Sequence, residues 1–156
     1  MKKLSLFLVA LFAFVATPLA AQSKGIATSA DPRATAAGAE ILAKGGSASD
    51  AAMAMMLALT VVEPESSGIG GGGFLVHYDA KGATISTING RETAPAAATP
   101  QRFTDAEGKP LPFLQAFPGG KSVGVPGNIS LMAEAHRKWG KLKWAEIFKP
   151  AIRLAD

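Results

Sequence analysis

The chain has 156 residues, a net charge of +4 and no cysteine, so a disulfide scaffold, a thiol nucleophile and a cysteine–zinc site are excluded together. Lys2 and Lys3 lie in the first segment, and setting that segment aside leaves 14 basic against 12 acidic side chains, a net charge of +2. So small an excess, with no basic stripe interleaved with aromatics, gives no footprint for nucleic acid.

The first segment reads as a secretory signal peptide. Lys2 and Lys3 form a basic start, Leu4 to Val15 is an apolar run too short to span a bilayer comfortably, and small residues follow in "ATPLAAQS". A cut after Ala21 makes residues 1–21 the signal and 22–156 the mature part, exported to the periplasm or the medium, with no membrane segment.

"KGIATS" (24–29) alternates as a short strand does. Asp31-Pro32 then opens a helix, since Asp caps well and Pro suits the first helical position. Ala36, Ala37, Ile41 and Leu42 form its expected apolar face, and Gly45-Gly46 ends it. Ser47-x-x-Asp50 has capping-box spacing and starts a second helix. Residues 51–62, "AAMAMMLALTVV", are apolar on all sides, which predicts a helix buried between layers. Met53, Met55 and Met56 read as core filler. Glu63-Pro64 stops the helix.

"SGIGGGGFLVHYD" contains Gly68-x-Gly70-x-x-Gly73, literally the dinucleotide fingerprint. That fingerprint needs a strand before the glycines and a helix after them, and here the order is reversed. The glycines instead suit backbone that passes close to another backbone or to a ligand, or that takes positive φ. "FLVHYD" (74–79) and "ATISTIN" (83–89) form two strands about a "DAKG" turn, the first apolar enough to be central. His77 reads as a satisfied strand histidine.

Arg91 follows the second strand through Asn89-Gly90 and is followed by Glu92. A guanidinium there offers a planar fork for a carboxylate, although the residues alone favour an ordinary surface or ion-paired arginine. A Pro/Ala-rich connector and a polar loop lead to helices over 129–138 and from Trp144 to the end. His136 and the lysines of "HRKWGKLKW" are expected on a solvated surface. Apolar periodicity still runs at Ile152 and Leu154, which suggests a longer protein. Helices with an antiparallel hairpin and no regular βαβ alternation predict a layered α/β (α+β) fold, not a doubly wound sheet.

The order "LAKGGSASDAAMA…LTVVEPESSGIGGGGFLVHYD…INGRETAPAAAT…GVPG" resembles the front of the large subunit of γ-glutamyltransferases, over Lys24 to Asp156. These are glutathione hydrolases of the N-terminal-nucleophile class. The resemblance implies a four-layer αββα sandwich, of which only the front part is present. It also implies one precursor that cleaves itself into large and small subunits. The nucleophile is then the N-terminal threonine of the small subunit, outside this chain, and the small subunit is the heterodimer partner.

The resemblance assigns no catalytic residue, metal or cofactor here, and implies that this part alone is inactive. It places Arg91 at the family's arginine for the α-carboxylate of γ-glutamyl substrates such as glutathione. Glu92, Ser67 and the glycines then shape that wall of the pocket. Many members carry Asp two residues before this arginine; Asn89 stands there instead. A β-lactam or other acylase sharing these motifs, and a non-catalytic secreted glutamyl-binding domain, remain as alternatives.

Overall fold

A computed structural model describes residues 25–156, and the expected signal peptide lies outside them. Helix α1 (Pro32–Ala43) starts as its sequence dictates. The Asp31 carboxylate accepts the Arg33 N–H at 2.7 Å, and Pro32 occupies the first turn. Its end is fixed by Gly45 at φ +84, with the N–H groups of Gly45 and Gly46 donating to Leu42 and Ile41 carbonyls.

Its buried face is Ala34, Ala37, Gly38 and Ile41, so Ala36, expected inside, is exposed. The stripe is rotated because Gly38 lets the next helix approach. A Cβ there would come within 2.7 Å of Met55 Cγ.

Helix α2 (Ala48–Val62) carries the full capping box: Ser47 Oγ accepts from Asp50 N at 3.0 Å, and Asp50 Oδ2 accepts from Ser47 N at 2.9 Å. Contrary to expectation, it is not buried on every side. Met53, Ala54, Leu57 and Ala58 are inside, while Met55, Met56, Leu59 and Val62 are half-buried. Neighbouring helices cover one side of α2, and no further layer covers the rest among the described residues.

Strands β1 (Gly73–Asp79) and β2 (Thr84–Gly90) form an antiparallel hairpin with Gly73 opposite Gly90 and Asp79 opposite Thr84. The turn falls one residue later than "DAKG" suggests, and Ala83 takes φ 49. β1 is not central. Leu75 points into the core, but Phe74, Val76 and Tyr78 point away and are 60–68% exposed, joined by Ile85. Among the described residues no strand pairs with 25–29, which form no strand; Ile26 is exposed and Ser29 bonds Thr35 and Asp31.

One-turn 3-10 helices at Pro100–Phe103 and Gly120–Ser122 flank the short helix α3 (Phe113–Ala116), which the sequence reading missed. Helices α4 (Asn128–Trp139) and α5 (Trp144–Ala155) complete the chain. Met53, Leu57, Leu75, Leu131, Met132, Ala135 and Ile147 interlock α2, β1, α4 and α5 in one core. The result is a helical layer against one face of a two-stranded sheet.

Two polar side chains tie that layer together. Asp50 is fully buried, and its Oδ2 also accepts from Lys141 N at 2.9 Å and Leu142 N at 3.2 Å. His136, expected on the surface, is half-buried: its Nε2 is 2.8 Å from the Leu142 carbonyl oxygen and its ring meets the edge of Trp144. It is drawn in because the α4–α5 turn needs a donor for that carbonyl. His77 stacks on Trp139 at 4.1 Å, with Nδ1 at 3.2 Å from Ser49 Oγ, as a satisfied strand histidine should.

Candidate functional site

Three glycine-bearing segments, distant in sequence, meet at the open end of the hairpin. Gly71 O accepts from both Gly127 N and Asn128 N at 3.1 Å, and Asn128 Nδ2 donates to Gly68 O at 2.7 Å. The 68–73 loop is thereby stitched to the start of α4. Thr93 and Val125 exchange backbone hydrogen bonds of 3.3 and 2.9 Å, which clamps the segment after Arg91 to the segment before Pro126.

Close backbone approach explains the glycines. A Cβ on Gly127 would overlap the Gly90 carbonyl oxygen, and one on Gly72 would stand 2.6 Å from Glu92 Oε2 and from Gly90 O. A Cβ on Gly124 would be 2.9 Å from Glu92 Cβ. The glycine run is thus a floor under Glu92.

Arg91 stands on this floor. Its backbone N–H donates to Asn89 Oδ1 at 3.0 Å, so Asn89 shapes the turn that presents the arginine. The guanidinium Nη2 is 3.3 Å from Glu92 Oε2, a charge contact without hydrogen-bond geometry, since that same oxygen has no hydrogen-bond partner. The Arg91 side chain is 55% exposed and Glu92 28%. Arg33 and Arg137, by contrast, each spend two guanidinium N–H groups on one carboxylate, at 2.7–3.0 Å. Arg91 is held in place with most of its donor fork free.

Two grooves share Arg91 as a wall. One, of about 580 Å³, runs along Arg91, Thr93, Pro95, Arg102, Lys121 and Gly124. The other, of about 510 Å³, runs along Asn89, Arg91, Pro126, Ser130 and Glu134. Hydrogen bonds from Arg137 and then Lys138 hold the Glu134 carboxyl down to about 2, so it stays ionised beside those two cations. The first groove is lined by three cations and one acid, Glu92; the second carries Arg91 and the Glu134 carboxylate, itself paired with Arg137 and Lys138.

Of the residues singled out by sequence, the structure brings Arg91, Glu92 and the glycines together. Ser67 lines neither groove; its N–H closes the turn after α2 on the Glu63 carbonyl. Asn128, Gly124, Arg102 and Lys121 were not foreseen as parts of the site. "GVPG" (124–127), with its paired glycines, was the available signal for Gly124 and for Asn128 directly after it. Among the described residues no cluster of His, Asp and Glu is suited to a metal ion.

An arginine with most of its donor fork free thus stands on a glycine-packed floor beside an open groove, on an α+β layered scaffold. Residues 34–156 match the protein family Gamma-glutamyltranspeptidase. The chain belongs to that family.

It is 46% identical over 132 residues to a glutathione hydrolase proenzyme of Bacillus subtilis (strain 168), covering 85% of this chain and 22% of that protein. The solved γ-glutamyltranspeptidase of Pseudomonas nitroreducens, complexed with L-DON, superposes with a TM-score of 0.80 at 40% identity, over 86% of this chain and 39% of that one. A cephalosporin acylase from Bacillus halodurans gives 0.67 at 38% identity, over 79% of this chain and 22% of its own. The fold is that of the N-terminal-nucleophile γ-glutamyltranspeptidases, as expected. The chain spans about a fifth of the length of the curated relatives it matches.

Proposed function

We propose that this chain supplies the glutamyl-recognition wall of an exported γ-glutamyltransferase that hydrolyses glutathione and related compounds. Arg91 takes the α-carboxylate of the γ-glutamyl group in a two-pronged grip. Fixing that end leaves the γ-carbonyl where a nucleophile can reach it.

The family resemblance supplies the rest of the cycle. A threonine hydroxyl on a small subunit from the same precursor attacks the γ-carbonyl, and the threonine's own α-amine takes the hydroxyl proton. The amine leaving group departs with a proton as the acyl-enzyme forms. Water or an acceptor amine then releases glutamate or a new γ-glutamyl product. None of the residues here is assigned as nucleophile, so the chain alone turns over nothing, and no metal or cofactor is called for.

The observation that carries this reading is the Arg91 guanidinium, positioned through Asn89 and Glu92 yet left with free donors at a groove. Its test is the loss of γ-glutamyl turnover in Arg91→Lys, in the protein that carries this chain. The likeness to the cephalosporin acylase supports a second reading, an acylase on the same frame, for which β-lactam side-chain amides would replace γ-glutamyl amides as substrates. A non-catalytic glutamyl binder would bind γ-glutamyl compounds without turnover.

A further inference from the structure

We infer that the larger groove beside Arg91 holds a second anion subsite, built by Arg102 and Lys121. The ligands it favours are γ-glutamyl peptides with a free carboxylate beyond the γ-amide bond. This rests on the reading of Arg91 as the α-carboxylate clamp.

Charge is the first ground. The groove is lined by Arg91, Arg102 and Lys121 against one acid, Glu92, which already lies against Arg91. Two cations are left without an acidic partner among the described residues. Seven cations of the described residues do have an acidic partner: Arg33 with Asp31, Lys44 and Arg153 with Glu40, Arg91 with Glu92, Arg137 and Lys138 with Glu134, Lys149 with Glu146. Arg102 and Lys121 line one groove together with Arg91, where their fields add.

Preorganisation is the second. Arg102 Nε donates to the Lys121 carbonyl at 2.6 Å and Nη2 to the Gly120 carbonyl at 3.4 Å. These bonds fix the guanidinium plane, satisfy the backbone of the loop that carries Lys121, and leave other N–H groups unused. The loop is pinned further by Ser122 Oγ on the Gly119 carbonyl at 3.0 Å, with Gly119 at φ +85.

Size is the third. At about 580 Å³ the groove falls in the range that takes a whole small-molecule ligand, more than one glutamyl group needs. The groove on the other side of Arg91 bears Glu134 and, besides Arg91, no cation lines it.

The test uses the protein that carries this chain, with glutathione, its C-terminal glycinamide analogue and γ-glutamyl-p-nitroanilide as probes. Wild type is expected to prefer glutathione over the amide by about five-fold in kcat/KM at low salt, the scale of exposed charge contacts. Added salt shrinks the preference. Lys121→Gln brings the ratio to about one, and Lys121→Arg keeps it. Arg102→Ala also releases the Lys121 and Gly120 carbonyls, so Lys121→Gln is the deciding variant.

A wild-type ratio near one, or a preference that survives Lys121→Gln, overturns the subsite. If wild type cleaves the nitroanilide while showing no preference, only the second subsite fails. If it cleaves none of the three, the Arg91 reading fails and this inference falls with it.

Discussion

The backbones of Gly127 and Gly90 lie so close that any Cβ on Gly127 would overlap the Gly90 carbonyl oxygen. Gly90 is the residue before Arg91, so the start of α4 is pressed against the peptide that presents the guanidinium. The Gly90 side of the contact is equally tight, since a Cβ there would stand 2.5 Å from Leu131 Cβ. Position of the arginine is therefore set by packing that involves no side chain at either glycine.

Gly127→Ala should force these backbones apart. Overpacking against fixed backbone costs on the order of 1–3 kcal/mol, and here it also moves Arg91. A lowered melting temperature together with raised KM for γ-glutamyl substrate is expected. A variant with unaltered melting and KM would show that the contact is looser than the structure indicates.

Asp50 joins α2 to the α4–α5 turn through the N–H groups of Ser47, Lys141 and Leu142. Removing it leaves three donors without their acceptor inside the protein. Asp50→Ala should destabilise by roughly 3–5 kcal/mol, the scale for breaking a buried charged network. Asp50→Asn, which keeps an acceptor oxygen, should cost less. Urea denaturation of the protein carrying this chain separates the two, and equal losses would remove the hydrogen-bond explanation.

Acid sensitivity follows from paired surface carboxylates. Asp31 is lowered to about 2 by the hydrogen bond from Arg33, and Glu134 to about 2 by Arg137 and then Lys138. Glu40 and Glu146 are lowered as well, chiefly by Lys44 and Lys149. Depressed folded values mean that these pairs stabilise the fold fully above the unfolded carboxylate range. The contribution is lost as pH falls from about 4.5 toward 2. Stability should decline over that window, and less steeply in high salt because the pairs are exposed. In Glu134→Gln the slope should be shallower; an identical slope would remove Glu134 from the effect.

The outward sheet face exposes Phe74, Val76, Tyr78 and Ile85 together. Contiguous apolar surface of this kind marks a face made to be covered. Residues 25–156 produced alone should bind a hydrophobic dye and melt without cooperativity. A sharp, cooperative melt of that piece would contradict this.

Local signals were legible and distant ones were not. Asp31, Ser47 and Asp50 declare their helices because each cap bonds within three residues. The hairpin follows from alternation and a turn. The apolar face of α1 was misplaced at Ala36 because Gly38, meeting Met55, decides its rotation from another helix. Residues 25–29 alternate like a strand, but a strand exists only with a ladder partner.

At the site, Arg91 was visible as a fork at a strand end, and the family resemblance gave it a role. The floor beneath it depends on Asn128 reaching Gly68 and on Gly124 and Gly127 closing over Glu92 and Gly90, contacts that span 32 to 60 residues. No local pattern encodes those distances. His136 was misread for the same reason, its partner being the Leu142 carbonyl across the next turn.

On the proposed function, Arg91 holds the substrate's α-carboxylate through a bidentate contact. The most direct measurement is kcat/KM for γ-glutamyl-p-nitroanilide in Arg91→Lys against wild type, in the protein carrying this chain, with precursor self-cleavage followed in parallel. Lysine keeps the charge and loses the fork. Truncating a hydrogen-bonded charge contact costs about 2–5 kcal/mol, so kcat/KM should fall several tens-fold or more while self-cleavage continues. An unchanged kcat/KM would take Arg91 out of the site.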